Sequence, residues 1–142
     1  MISSKCRYAL KAMLELARQE GTGPITIGAI AERRDIPSRF LEGILRELKQ
    51  AGLTDSTRGK DGGYRLARPA MEITVGEVIR IFEGPLIDRA ERQGYGDVPD
   101  VFVPVWNQAN EALHQVFDEF TFSKLIENER ELIQTQAPNY TI

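Results

Sequence analysis

Three polar side chains stand at the start of the most regular amphipathic segment in the chain, residues 38–51. Arg39 carries a planar fork of N–H donors that matches the two acceptors of a guanine edge, and Glu42 can accept a hydrogen bond from a cytosine amino group. Ser38 suits a phosphate or either base edge. The combination predicts a helix start that reads base edges in a DNA groove. An ordinary capped helix with solvated charges could carry the same residues.

A second set of candidates lies between residues 58 and 64, where glycines are mixed with both signs of charge. Arg58 and Lys60 are cations that a hairpin tip can place in the minor groove of a duplex. The glycines would let the backbone approach phosphates closely. Taken alone, the segment could also be a generic turn. Its candidate contact residues are Arg58, Lys60, Gly62, Gly63 and Tyr64.

Further polar residues are candidates for phosphate contacts, which fix the register of a protein on DNA without reading its sequence. They are Arg7, Tyr8, Thr26 and Arg46. Tyr8 could equally be a half-buried core residue. The predicted partner of all these positions is double-stranded DNA.

Catalytic and metal-binding patterns are missing from the sequence. It contains one cysteine, Cys6, and one histidine, His114, too few for zinc-ligand spacing or a cysteine-based triad. Residues 59–63 are glycine-rich, but they are not followed by the Lys-Ser/Thr pair that completes a phosphate-binding loop. We therefore expect no enzyme activity, no metal and no cofactor, and we interpret His114 as a helix-surface residue.

The elements that position the candidate residues follow from hydrophobic periodicity and capping residues. A wide apolar pattern over residues 4–19 predicts a helix buried on more than one side. Thr26 is placed to cap a short second helix. A break at residues 35–38 leads into a third helix, with Ser38 as the expected cap and Gly52 as the left-handed end. Its predicted apolar face consists of Phe40, Leu41, Ile44, Leu45 and Leu48.

This order of helices, with a tight break before the third, is the pattern of a helix-turn-helix. Residues 54–57 and 64–67 then predict the two strands of a β-hairpin around the glycine-rich tip. A hairpin directly behind a helix-turn-helix is a wing. A fourth helix, capped by Thr74, is expected to end before Gly84 and Pro85.

The C-terminal part is predicted to mediate homodimerisation. After a polar, broken loop a long helix is expected from Val105, and a last helical segment around residues 125–133. The apolar spacing of the long helix resembles a coiled-coil seam made of Trp106, Ala109, Leu113, Val116, Phe117 and Phe120. The predicted fold is mainly α with a small β-hairpin wing. Its expected divisions are a winged helix-turn-helix DNA-binding domain (1–84), a variable loop (85–104), and a dimerisation helix with the C-terminal segment (105–142).

Charge is unevenly distributed along the chain. Residues 1–70 contain 13 lysines and arginines against 8 aspartates and glutamates, whereas residues 71–142 contain 5 against 13. A basic half joined to an acidic half suggests that one part meets a polyanion, although ordinary solvated surface could show the same imbalance. No membrane-spanning run or secretory pattern is present, and a single cysteine fits a reducing compartment, so we expect a cytoplasmic protein without a membrane partner.

The motifs collected above resemble those of the Rrf2 family of bacterial transcriptional regulators, which includes iron–sulfur regulators, a nitric-oxide sensor and a repressor of cysteine metabolism. The similarity covers nearly the whole chain and weakens between residues 86 and 104. The clearest matching stretches are residues 6–13 (CRYALKAM), 36–42 (IPSRFLE), 48–53 (LKQAGL), 58–66 (RGKDGGYRL) and 73–79 (ITVGEVI). The resemblance implies a homodimer whose long C-terminal helices cross, with one wing and one recognition helix on each half of a palindromic operator. We expect such a dimer to act as a repressor. Carried over by position, Ser38, Arg39 and Glu42 would face the major groove and Arg58 the minor groove.

The loop before the long helix departs from the family. Cluster-binding members place three cysteines there, and residues 85–104 contain none, so we expect no iron–sulfur cluster of the family type. Cys6 stands where the family usually has a small residue. It is either an inert buried thiol or a redox-active group whose thiolate is favoured by Lys5 and Arg7. The acidic residues of the loop are expected to be solvated rather than metal ligands: Asp88, Glu91, Asp97 and Asp100.

A protein or small-molecule effector is the expected further partner. Some members of the family act with a partner enzyme, and this chain combines an acidic second half with a loop that has no cysteine. The alternative function is therefore a winged-helix protein-interaction module that acts mainly through a partner enzyme.

Overall fold

A computed structural model describes residues 2–87 and 100–136. This part of the chain is mainly helical and carries one antiparallel hairpin, which confirms the predicted fold class. No helix within these ranges is long and apolar enough to cross a membrane. In chain order the elements are α1 (Ser4–Arg18), α2 (Ile27–Arg34), α3 (Ser38–Gln50), β1 (Thr54–Thr57), β2 (Gly63–Leu66), a 3₁₀ turn (Ala70–Glu72), α4 (Val75–Phe82), α5 (Val103–Asp118) and α6 (Phe122–Gln136).

Helices α1, α2 and α3 form the helix-turn-helix, and their ends follow the predicted capping pattern with one exception. The Thr26 hydroxyl accepts a hydrogen bond from an amide of the first turn of α2 at 3.1 Å. Asp35 ends α2 in the left-handed conformation (φ 53°), and Gly52 follows α3 with φ 82°. The prediction that Ser38 caps α3 is wrong, because Pro37 occupies the cap position and the serine is the first helical residue.

The hydrophobic core forms where α3 packs on α1. Helix α3 contributes four side chains that are at most 1% exposed: Leu41, Ile44, Leu45 and Leu48. Full burial of such a side chain stabilises a fold by about 1.5–3 kcal/mol. Phe40 was predicted on the same face but is 44% exposed, which corrects that prediction. Its ring lies at the edge of the buried stripe, where it stacks against Tyr8 of α1.

One carboxylate is buried inside the helix-turn-helix. Glu15 of α1 is 0% exposed and accepts hydrogen bonds from Arg34 at 3.0 Å, Arg33 at 3.3 Å and Arg18 at 3.4 Å. The Arg34 guanidinium also donates to Glu129 of α6. A buried charge is tolerated only when it is paired, so this network fixes α2 against α1 and α6.

The wing consists of β1 and β2, which pair antiparallel with Thr57 opposite Gly63. It is tied to the helical part by two main-chain hydrogen bonds. The Ile25 amide donates to the Tyr64 carbonyl at 2.8 Å, and the Tyr64 amide donates to the Ile25 carbonyl at 2.7 Å. Because Ile25 directly precedes the cap of α2, these bonds fix the wing relative to the start of that helix.

Helix α5 begins slightly before the predicted residue 105 and ends at Asp118. Phe120 therefore lies beyond the helix, where its carbonyl accepts a hydrogen bond from the Val75 amide at 2.9 Å. The prediction of a continuous helical seam up to Phe120 is wrong, because the chain turns there to begin α6. That last helix confirms the predicted segment around residues 125–133. Its residue Phe122 is 1% exposed and belongs to the core shared with α1 and α3.

The start of the predicted variable loop is held against α5. The Asn110 side chain is buried, and its Oδ1 accepts a hydrogen bond from the Ile87 amide at 2.8 Å while its Nδ2 donates to the Ile87 carbonyl at 3.2 Å. Three of the acidic loop residues lie outside the described residues: Asp88, Glu91 and Asp97.

Candidate nucleic-acid interface

An exposed stripe on α3 carries the predicted base-reading residues. Ser38, Arg39 and Glu42 are all exposed, and the Glu42 side chain is 70% exposed. One turn later Arg46 donates a hydrogen bond to Glu42 at 3.3 Å. An ion pair this exposed contributes little to stability, so a ligand can replace either partner at small cost.

The wing and α3 enclose a cleft that gathers several predicted contact residues. This wing cleft has a volume of about 510 Å³. Its lining comprises Thr26, Ile27, Arg46, Lys49, Ser56, Thr57, Arg58, Gly63 and Tyr64. Three cations, several hydroxyl groups and the N-terminal end of α2 thus face one space. Phosphate oxygens are bound by such groups in protein–DNA complexes.

Lys49 and Ser56 belong to this cleft but were absent from the sequence prediction. The Lys49 ammonium donates a hydrogen bond to the Ser56 hydroxyl at 2.7 Å, which links α3 to β1. A signal for Lys49 was present in the sequence. It follows Arg46 by three positions and Glu42 by seven, so all three residues lie on one helix face.

A second recess opens between α1 and the start of α3. This aromatic recess is lined by Ser4, Lys5, Tyr8, Arg39, Phe40, Gly43 and Ile44. Tyr8 is half-buried, and its ring stacks on Phe40 with centroids 5.8 Å apart. Lys5 forms an ion pair with Glu47 at 2.6 Å. The structure therefore brings Tyr8 and Arg39 together in one recess.

Arg7 and Lys60 line neither of these two cavities. Arg7 is exposed on α1, and its Nε donates a hydrogen bond to the carbonyl of Ile2 at 3.4 Å. Lys60 is exposed at the hairpin tip. Both cations are accessible to a ligand.

Gly62 and Gly63 have a role in the fold that is not evident from the sequence. A Cβ added at Gly62 would overlap the carbonyl oxygen of Thr57, and one added at Gly63 would overlap the carbonyl of Ile25. Gly62 therefore allows the hairpin tip to pack against Thr57, and Gly63 allows β2 to pack against Ile25. The fold itself requires both glycines, independently of any ligand that the wing contacts.

Cys6 is a buried thiol of α1. The residue is 0% exposed. Burial is the main factor that raises the pKa of its thiol to about 11, with a further contribution from the carboxylate of Glu83, and the nearby Arg7 only partly opposes the rise. The thiol therefore stays protonated at neutral pH, which disfavours metal binding and oxidation. Across the described ranges no group of three or more His, Cys, Asp or Glu side chains is placed to hold a metal ion.

The residues predicted for dimerisation lie on α5 and just after it. Trp106, Ala109, Leu113 and Phe117 are half-buried, and Val116 and Phe120 are 50% and 38% exposed. Other large apolar side chains of this region are also exposed: Val101, Phe102, Val105, Leu132 and Ile133.

Known proteins resemble this chain over almost its whole length. Residues 2–128 match the Rrf2 family, described as iron-dependent transcriptional regulators. The HTH-type transcriptional regulator CymR of Bacillus subtilis is 35% identical over 124 residues, which cover 87% of this chain and 88% of CymR. The solved structure of B. subtilis CymR, the global cysteine regulator, matches with a TM-score of 0.77 and 34% identity, covering 90% of this chain and 97% of that one.

A second solved structure, that of IscR from T. potens, matches with a TM-score of 0.79 and 32% identity. It covers 93% of this chain and 90% of that one. The helix-turn-helix, the wing and these similarities lead to one conclusion: the chain belongs to the Rrf2 family of DNA-binding transcriptional regulators.

Proposed function

We propose that the protein represses transcription by binding a palindromic operator as a homodimer, in the cytoplasm of a bacterium. The observation that carries this proposal is the wing cleft, which is lined by the start of α2, by Arg46 and Lys49 of α3, and by the wing. A recognition helix lies in the major groove, and a basic hairpin beside it reaches the neighbouring minor groove. The cleft between them receives the sugar–phosphate backbone that separates the two grooves.

Each predicted contact residue has a role in this arrangement. Arg39 and Glu42 read base edges in the major groove from the exposed start of α3, with Ser38 beside them. Arg58 enters the minor groove, and Lys60 follows it at the hairpin tip. The backbone contacts are assigned to Arg7, Tyr8, Thr26, Arg46, Gly62, Gly63 and Tyr64.

Exposed apolar side chains on the C-terminal helices support the homodimer. Val105 and Val116 of α5 are 51% and 50% exposed, and Leu132 and Ile133 of α6 are 59% and 63% exposed. A second copy would cover apolar surface of this kind, which single soluble chains rarely leave in water as a large patch. A two-fold axis would place the two α3 helices on the two halves of a palindrome.

The family description refers to iron, and the donor atoms of this chain do not fit an iron–sulfur cluster. Such a cluster is bound by cysteine thiolates. The only cysteine is buried in α1 with a raised pKa, and the only histidine, His114, lies within α5. We therefore infer regulation by a different signal, carried by a protein or small-molecule effector.

A second candidate function is an interaction module that acts mainly through a partner enzyme. The exposed apolar side chains of α5 and α6 and the acidic surplus of residues 71–142 favour it, because both could bind a protein partner. In that case the protein would form a stoichiometric complex in cells and bind DNA only weakly, without sequence preference.

Selection of bound sites from random duplex DNA tests the proposal. We expect an enriched palindromic motif whose two halves are related by two-fold symmetry. Binding to this motif should weaken steeply with salt, because every neutralised phosphate contributes about −0.9 to the slope of log K against log salt. No enriched motif, together with recovery of a stoichiometric partner protein, would favour the interaction module instead.

A further inference from the structure

An exposed phenyl ring at the start of α3 has no part in the contacts proposed so far. Phe40 is 44% exposed, while its neighbour Leu41 is completely buried. Since Leu41, Ile44, Leu45 and Leu48 anchor α3 to the core, the helix does not depend on this ring for its position. The ring stands next to Arg39, on the part of the helix that meets the major groove in the proposed complex.

Two neighbouring residues, Tyr8 and Arg39, hold the Phe40 ring in place. Tyr8 stacks on it with an interplanar angle of 20°, and the guanidinium carbon of Arg39 lies 4.8 Å from its centroid. A cation over an aromatic face is attracted to the ring. Phe40 therefore also orients the guanidinium that is proposed to read guanine, and groups ordered before binding lose little entropy when DNA arrives.

Open space lies beside the ring. The aromatic recess has a volume of about 590 Å³, and Gly43 forms part of its wall. Glycine inside a helix is destabilising relative to alanine. A Cβ added at Gly43 meets no atom of the described residues within 4 Å, so no internal contact requires this glycine. The glycine leaves this part of the wall open to a ligand that approaches α3 from outside.

The apolar wall of the aromatic recess is complementary to one chemical group in the major groove. Its wall is aromatic and aliphatic, and Arg39 adds positive charge that suits DNA, whereas the charge of Lys5 is paired with Glu47. Base edges in this groove present hydrogen-bond donors and acceptors, and the C5-methyl group of thymine is their one apolar group. We propose that Phe40 contacts the methyl group of a thymine adjacent to the guanine read by Arg39. This inference rests on the proposed function and adds a specificity-determining residue to it.

The test removes the methyl group from the DNA and the ring from the protein separately. In the selected operator, each thymine is replaced in turn by deoxyuridine, which lacks only that methyl group. We expect one position per half-site at which the replacement weakens binding about fourfold for each methyl group lost. The same replacement should leave the binding of Phe40→Ala unchanged. Phe40→Leu keeps an apolar side chain and should retain part of the discrimination.

Met71→Ala is the matched control, because Met71 is 70% exposed and lies outside α3. It should discriminate thymine from deoxyuridine as the unchanged protein does. Thermal unfolding will check that Phe40→Ala keeps its fold. If no deoxyuridine position affects the unchanged protein, or if Phe40→Ala is equally sensitive, the inference is overturned while the proposed function stands. If no motif is enriched, the proposed function fails and the inference fails with it.

Discussion

Arg34 of α2 donates two hydrogen bonds, of 2.6 and 3.0 Å, to the carboxylate of Glu129 on α6. The same guanidinium donates from its Nε to the buried Glu15 of α1 at 3.0 Å. The hydrogen bond with Glu129 raises the pKa of Arg34 and lowers the pKa of Glu129. One arginine therefore connects the first helix of the chain, the second helix and the last one, so the position of α6 and that of the helix-turn-helix depend on each other.

Removal of the Arg34 charge should destabilise the fold strongly. We expect Arg34→Met to lower the free energy of unfolding by about 2–3 kcal/mol, because Glu15 loses its nearest cation and keeps only the longer hydrogen bonds from Arg33 and Arg18. The matched variant Glu129→Gln leaves the Arg34–Glu15 pair intact and should cost only about 1 kcal/mol, because the glutamine amide oxygen can still accept a hydrogen bond from Arg34. Urea denaturation measures both values. Equal losses in the two variants would show that the buried Glu15 is not what makes Arg34 important.

The same pair predicts a dependence of stability on pH. The pKa of Glu129 is lowered from its ordinary value of 4.5, chiefly by the hydrogen bond from Arg34. A carboxyl group with a lowered pKa stabilises the folded state above its unfolded pKa, and this contribution is lost as the pH falls through the folded pKa. The stability difference between the unchanged protein and Glu129→Gln should therefore be constant near neutral pH and shrink below pH 4.5. A difference that persists unchanged in strong acid would contradict this assignment.

Local residues explain why most of the fold could be predicted from the sequence. Thr26 and Thr74 accept hydrogen bonds from amides of α2 and α4, and Gly52 takes the left-handed conformation after α3. Capping interactions of this kind involve neighbours in the chain, so residue type and order are enough to locate them. The end of α5 escaped prediction, because its turn is fixed by the hydrogen bond between Phe120 and Val75, which lie far apart in the sequence.

The candidate site was less predictable, because its details depend on which surfaces meet. Helical periodicity places Phe40 next to the core-facing residues, and only the packing of α1 shows that Tyr8 meets the ring at the edge of the core. Gly63 was interpreted as a contact with phosphate. In the structure a glycine is required at this position because the main chain of Ile25, 38 positions earlier in the sequence, leaves no room for a Cβ. Neither pairing has a signal that a single sequence reveals.

Base preference should respond to the exposed stripe of α3. We expect Arg39→Ala and Glu42→Ala each to relax the preference at one or two positions of the half-site, with discrimination reduced by about 1–3 kcal/mol at each. Lys49→Ala is the control, because it removes a cation from the wing cleft and should weaken binding to all sequences about equally while reducing the salt slope by about 1. Competition binding with every single-base variant of the operator measures these effects. Unchanged base preference in both stripe variants would refute the assignment of α3 as the recognition helix.

Arg58 should provide the main contribution of the wing to DNA binding. Arg58→Ala is expected to weaken binding and to reduce any preference for A·T pairs next to the major-groove contacts, because a narrow minor groove attracts an inserted arginine. Arg65→Ala removes the same charge from an exposed position on β2 and serves as the control. Both variants are tested against operators whose flanking pairs are A·T or G·C. Equal effects of the two substitutions would indicate that the wing supplies general charge rather than a minor-groove contact.

Dimer formation should depend on the exposed apolar side chains of α5. We expect Val105→Glu and Val116→Glu to produce monomers in sedimentation experiments, because each substitution would place a charge in an apolar interface. A monomer loses the advantage of two linked half-sites, so its affinity for the full operator should fall by about 100-fold or more, to the level of its affinity for one half-site. Met71→Glu, at a residue that is 70% exposed in the 3₁₀ turn, should remain dimeric. If the α5 variants stay dimeric and keep full operator affinity, the two copies must associate through a different face.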